Sequence, residues 1–211
     1  MGTIVLFTSA NRGTGTSTLA RAFAVEAAYS LNTKILDLDG DAAATWNWGR
    51  QREERNIQPA VPIARGQQTE LGAAARSVEL LVMDAPANSV HREDWLAASP
   101  LLTIVVSRAS ADELDHTLKY LRELGVKGDT HPQLAVALCR IHSNGEAVKA
   151  RGRLNGAGYA VFRGELRQSN SFRGLQQMGR AVTESPVAYL AAEAYELIKA
   201  MQAAFATAFK L

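Results

Sequence analysis

The chain carries a single cysteine, Cys139, among 211 residues. One thiol excludes an intrachain disulfide scaffold and a cysteine-based zinc site, and it suits a reducing cytoplasm. Cys139 follows the apolar run Leu134-Ala135-Val136-Ala137-Leu138, which predicts a buried thiol. No uninterrupted apolar stretch approaches the roughly 20 residues of a membrane span. The N-terminal apolar stretch is too short for a signal peptide and lacks a basic flank, so a cytoplasmic protein is expected. His91, His116, His131 and His142 are scattered without metal-ligand spacing and read as surface or capping residues. Internal repeats and long linkers are missing as well. Gln58-Pro59-Ala60-Val61-Pro62 and Thr130-His131-Pro132 read as connections within one domain spanning residues 1–211, long enough to bury a sizeable core.

What is present is an alternation of short apolar runs with helical stretches. Strands are expected at Thr3–Thr8, Lys34–Leu38, Leu80–Met83, Leu102–Val106 and Gln133–Leu138, with a weaker one near Tyr159–Phe162. Helices are expected at Ser17–Ser30, Ala42–Arg55, Asp112–Leu124, Gly145–Leu154 and from about Val187 to Phe209. Several strands are continuously hydrophobic, as strands covered on both faces are. The pattern predicts an α/β fold: a mostly parallel twisted sheet with helices on both faces and right-handed crossovers. In the terminal helix, Leu190, Ala194, Leu197, Ile198, Met201 and Phe205 form one stripe suited to core packing. Its polar face carries Glu193, Glu196 and Gln202 rather than the lysines that bind anionic lipid.

The net charge is only +2, but it is unevenly spread. Arg140, Lys149, Arg151, Arg153, Arg163, Arg167, Arg173 and Arg180 fall in one segment opposed only by Glu146 and Glu165. Such asymmetry favours an anionic partner, although a solvated arginine-rich face would look the same.

Three strand ends carry the chemistry. The first opens the glycine-studded loop Ser9–Thr18, Ser-Ala-Asn-Arg-Gly-Thr-Gly-Thr-Ser-Thr, between a strand and a helix. Small residues at Gly13, Thr14, Gly15 and Thr16 let the main chain wrap an anion, and Ser17 stands where its hydroxyl could ligate Mg2+. The lysine that usually precedes that Ser/Thr is absent; Thr16 takes its place. The second is Ile35-Leu36-Asp37-Leu38-Asp39, whose carboxylates at i and i+2 would share a face of the strand and converge on the loop. Asp41 suits the cap of the following helix, which frees Asp39 for chemistry. The third is Leu80-Leu81-Val82-Met83-Asp84-Ala85-Pro86, a hydrophobic strand delivering an aspartate that can hold Mg2+ beside bound phosphates. In open α/β sheets, ligands bind outside the carboxyl ends of strands, where all three motifs fall. Asp112, Glu113 and Asp115 most simply complement the dipole of their helix. Trp46, Trp48 and Trp95 suit either core or interface.

These motifs resemble the ParA/MinD family of deviant-Walker P-loop ATPases, in the small ParF-like class without an N-terminal DNA-binding domain. Against the family's Lys-Gly-Gly-x-Gly-Lys-Thr-Thr, the chain reads Asn11-Arg12-Gly13-Thr14-Gly15-Thr16-Ser17-Thr18. Asp37 and Asp39 match its Asp-x-Asp, and Asp84 and Pro86 match its strand-Asp-x-Pro. Ala44-Thr45-Trp46-Asn47-Trp48 resembles the Thr-Asn-Trp stretch of small partition ATPases. Leu166-Arg167-Gln168-Ser169-Asn170-Ser171-Phe172 resembles the segment that passes the base, which brings Arg167 and Asn170 into the expected nucleotide site.

The resemblance implies ATP or ADP with Mg2+ as cofactor and a nucleotide-sandwich homodimer. It also implies non-specific DNA contact through Arg151, Arg153, Arg167 and Arg173, a ParB-like or cargo-adaptor partner, and possible association with the nucleoid. In the family, the lysine at position 11 reaches the partner's phosphates and the lysine at position 16 neutralises the β- and γ-phosphates. Both are replaced here, while Arg12 supplies a nearby charge at a position that matches a glycine of the family. The expectation is nucleotide binding with weak or absent hydrolysis, Asp39 orienting water if turnover persists. The alternative is a nucleotide-independent adaptor for a DNA-transfer or cellulose-type secretion apparatus. A MinD-like role at the membrane is disfavoured by the acidic polar face of the terminal helix.

Overall fold

The computed structural model describes residues 2–39, 43–66, 68–124 and 133–209, with the side chains of 68–70 and 133 left aside. Eight strands occur among them: β1 (Thr3–Thr8), β2 (Thr33–Asp37), β3 (Ile63–Arg65), β4 (Leu80–Asp84), β5 (Leu102–Ser107), β6 (Gln133–Ile141), β7 (Ala160–Val161) and β8 (Leu166–Arg167). They form one sheet in the order β3-β2-β4-β1-β5-β6-β7, with β8 beside β6. Every pairing is parallel. β7 and β8 share one edge of β6, the first along its beginning and the second along its end. This is the expected mostly parallel α/β sheet flanked by helices, with the fold of a P-loop NTPase.

Six α-helices connect the described strands, α1 (Thr16–Ala27), α2 (Ala44–Glu54), α3 (Gln68–Arg76), α4 (Arg92–Ala97), α5 (Ala111–Glu123) and α6 (Asn144–Gly156), and two follow the last strand, α7 (Asn170–Gln177) and α8 (Ala188–Phe209). Alternation along each strand feeds the two faces of the sheet, which carry three hydrophobic clusters among the described residues. Val5, Phe7, Ile35, Val82 and Ile104 face α1 and α8. On the other face, Ile4, Leu6, Leu36 and Met83 pack with Trp95 and with Leu71 of α3. Val105, Val136 and Leu138 meet Leu114 and Leu121 of α5 and Ala150 of α6. The terminal stripe is core: Leu190, Ala194, Leu197, Ile198 and Met201 are all buried, and Phe205 packs edge-on against Phe23 at 6.2 Å.

The expected helices and strands shift by a few residues at their ends, and five elements are additional: β3, α3, α4, β8 and α7. Most are too short to show a period. β8 has two residues and α4 six, and only Phe172 and Leu175 of α7 are buried. The start of the second expected helix at Ala42, the cap assigned to Asp41 and the connection at Thr130-His131-Pro132 lie outside the described residues. No helix among the described residues is long and apolar enough to cross a membrane.

A buried ion pair ties α2 to the turn that precedes α8. Arg52, 2% exposed, holds Glu184 through two bonds of 2.7 and 3.0 Å and donates to the Pro59 and Gly179 carbonyls. Removing one partner of such a pair strands a desolvated charge. Glu184→Ala should therefore lower unfolding stability by about 3 kcal/mol. Glu54→Ala, which breaks the exposed pair with Arg50, should cost no more than about 0.5 kcal/mol. Urea denaturation of both variants checks the contrast.

Candidate functional site

The carboxyl ends of β1, β2, β4 and β6 border a cleft of about 960 Å3. β1 lies between β4 and β5, where the chain order reverses, so the loop after β1 opens into the gap that such a reversal leaves. Gly13 and Gly15 take positive φ values of 73° and 107°, which carry the chain around the turn and into α1. Gly15 also has no room for a side chain, because an added Cβ would stand 2.3 Å from Cys139 Sγ. The first N–H groups of α1 have no partner within their own helix, and the residues of that turn, Thr16, Ser17 and Thr18, line this cleft. Cys139 is buried as expected, and burial pushes its thiol up to about 12, which keeps it protonated.

Asp84 ends β4, level with Phe7 of β1 and Asp37 of β2. One carboxylate oxygen accepts from Ser17 at 3.2 Å and the other from Thr45 at 2.5 Å. Thr45 in turn accepts from Arg21 Nε at 2.9 Å, while Arg21 Nη1 donates to Gln176 at 2.8 Å. Gln176 also bonds Thr18. The network thus starts and ends on the first turn of α1, passing through β4, α2 and α7. Burial raises Asp84 to about 6, against the pull of Arg21 and Thr45. Burial likewise lowers Arg21, opposed by Asp84 and Asp37.

The expected site residues separate into two groups. Arg12, Gly13, Gly15, Thr16, Ser17, Thr18, Asp39, Asp84, Arg167, Asn170 and Arg173 all line the cleft. Asn11, Thr14 and Asp37 do not. Asn11 turns to α5, donating to Glu113 at 2.8 Å and meeting His116 Nδ1 at 2.9 Å. Glu113 therefore does more than complement a helix dipole. Thr14 is buried and bonds the Thr16 hydroxyl, which also donates to Ser9 at 3.0 Å. Asp37 corrects the expectation that the two carboxylates converge: β2 ends at Asp37, so strand alternation does not extend to Asp39. Its oxygens accept from the Asp39 and Trp46 N–H groups, which makes Asp37 the anchor of the α2 entrance. Trp48 and Trp95 are core residues.

The remaining basic residues are less open than the sequence suggests. Arg151 pairs with Glu165 at 2.9 Å and donates to the Phe162 and Gly164 carbonyls. Arg153 pairs with Asp115, and Arg167 pairs with Glu193 at 3.1 Å while bonding Asn144. Arg173 is exposed. Sequence reasoning missed Arg21, a charge within an otherwise apolar helical stretch, and Arg108. Arg108 follows β5 and braces the loop by donating to the Gly13 carbonyl at 2.6 Å. A lone arginine among apolar residues was the available signal for the first; the second had none.

The residues present suit a nucleotide with Mg2+. Loop residues Gly13, Gly15, Thr16, Ser17 and Thr18 line a cleft of sufficient size, and the Ser17 hydroxyl lies within hydrogen-bond reach of Asp84, a pairing of oxygen donors that Mg2+ favours.

Because Asp84 binds its proton more tightly folded than unfolded, its contribution to stability is full below pH 4 and is lost as pH rises through 6. With divalent cations removed, wild-type stability relative to Asp84→Asn should fall by on the order of 3 kcal/mol between pH 4 and pH 7. Denaturation curves across that range check the sign.

No protein-family model and no curated protein sequence matches the chain. Solved structures do. A ParA family ATPase from Chlorobium tepidum superposes with a TM-score of 0.69 at 14% identity, covering 94% of this chain and 98% of that one. The septum site-determining protein MinD from Pyrococcus horikoshii, solved with Mg-ADP, gives 0.71 at 13% identity over 95% and 96%. A Cyanothece McdA variant in complex with ATP gives 0.72 at 12% identity over 96% of both chains. The chain is built on the fold of the ParA/MinD P-loop ATPases.

Proposed function

We propose that this chain is a ParA-like partition or positioning protein that binds ATP or ADP with Mg2+ in the cleft. It dimerises, contacts DNA non-specifically and hydrolyses nucleotide weakly or not at all. One observation carries the reading: the glycine loop, Ser17 and Asp84 border one cleft, with the Ser17 hydroxyl bonded to Asp84, while positions 11 and 16 hold internally bonded Asn11 and Thr16 instead of lysines. Relatives of the same fold solved with Mg-ADP or with ATP support the choice of ligand.

The loop amides, with Ser17 and Thr18, would cradle the phosphates. Ser17 and Asp84 would hold Mg2+, whose charge neutralises phosphate oxygens when bound. Asp39 at the cleft wall would orient water, and Arg167 and Asn170 would border the base. Losing a preorganised cation costs a few kcal/mol of transition-state stabilisation, roughly a hundredfold or more in rate. Backbone amides, Ser17 and Mg2+ would still support binding.

A nucleotide-independent adaptor remains the second reading, favoured by the Thr14-Thr16-Ser9 hydroxyl chain that satisfies the loop from within. Calorimetry separates the two. Micromolar ATP or ADP binding with Mg2+ and negligible turnover is the expected result. Absence of binding favours the adaptor, and robust turnover abolished in Asp39→Ala overturns the weak-hydrolysis part.

DNA contact would rest first on Arg173, since Arg151, Arg153 and Arg167 each already hold a carboxylate. Binding should weaken steeply with salt, and Arg173→Ala should lower the log–log salt slope by about 1. Fluorescence anisotropy with duplexes of unrelated sequence measures it; an unchanged slope removes Arg173 from the interface.

A further inference from the structure

Without lysine at position 16, the cleft still has five arginines on its wall: Arg12, Arg21, Arg140, Arg167 and Arg173. Two of them are occupied. Arg21 is buried in the network to Thr45 and Gln176, and Arg167 is paired with Glu193. Arg12 and Arg173 are exposed, on the loop and on α7.

Arg140 differs in how the fold places it. On β6, Cys139 pairs with Leu166 of β8, and Ile141 pairs with Arg167, so the register slips by one residue at Arg140. The bulged residue takes φ 58°, a left-handed conformation that a side chain as long as arginine seldom adopts. Its neighbours Cys139 and Ile141 are both buried, while Arg140 is exposed. The bulge thus turns one cation out of a buried strand end. That strand end is also the part of β6 nearest the loop, because Cys139 Sγ fills the space a side chain at Gly15 would need. The chain passes directly from the atom packed against the last loop glycine to an arginine on the cleft wall.

We propose that Arg140 is the cation that meets the nucleotide phosphates in place of the lysine missing from position 16. The proposal rests on the nucleotide-binding reading above. It explains why β6 spends an irregularity at this point, since bulges re-aim side chains beside functional sites. An arginine fork is also suited to phosphate oxygens, giving paired, charge-assisted hydrogen bonds that a threonine cannot supply.

The test compares wild type with Arg140→Asn and Arg140→Lys by isothermal titration with ATP and Mg2+, alongside melting of the free proteins. Asparagine removes the charge yet tolerates the left-handed backbone, so the bulge can persist. Arg140→Asn should weaken ATP binding roughly 10- to 100-fold, the range of a lost hydrogen bond to a charged group. Arg140→Lys should recover most of it, with melting temperatures alike in all three. ATP affinity within twofold of wild type in Arg140→Asn overturns the proposal and leaves nucleotide binding intact. So does a lysine variant that binds no better than the asparagine one. A wild-type protein that binds no nucleotide overturns both readings.

Discussion

Asp84 is the residue on which the rest of the site depends. A carboxylate at the end of a buried parallel strand must find partners, because burying it unsatisfied costs several kcal/mol. Its oxygens take hydroxyls from α1 and α2, and Arg21 stands behind as counter-charge. Those demands bring α1, α2 and α7 to the same strand end and define the cleft floor. The raised affinity of Asp84 for its proton shows that the partners compensate only in part. A carboxylate left under-compensated by the protein is one that gains from an added cation.

The loop shows the same economy with its lysines gone. Thr16 turns inward to Ser9, Asn11 reaches α5, and Arg108 braces the Gly13 carbonyl from outside. The turn takes its shape through these bonds and through the fit of Gly15 against Cys139. Positive charge enters the cleft from elsewhere: from α1 beneath, from α7 at the rim and from the β6 bulge beside the loop.

Much of this was legible in the chain. The three motifs that supply Ser17, Asp39 and Asp84 follow from apolar runs ending in polar residues, and all three residues line the cleft. The terminal stripe of α8 was equally plain, because 22 residues display a helical period clearly. Two-residue strands and six-residue helices have no period to display, so β8 and α4 were invisible. Asp37 was misplaced because the i, i+2 rule holds only while the strand continues, and β2 stops at that residue.

The sequence by itself determined the α/β alternation, the glycine loop, its missing lysines and the aspartates beside it, since each is a local pattern of residue type and spacing. Only the tertiary structure decided which cations serve the cleft. Arg151, Arg153 and Arg167 look free along the chain, yet folding sets each against a carboxylate distant in sequence. Arg21 and Arg140 look incidental, yet one is buried behind Asp84 and the other is exposed on the cleft wall at a register slip. Charge pairing and bulges depend on contacts between elements far apart in the chain, and no local spacing encodes them.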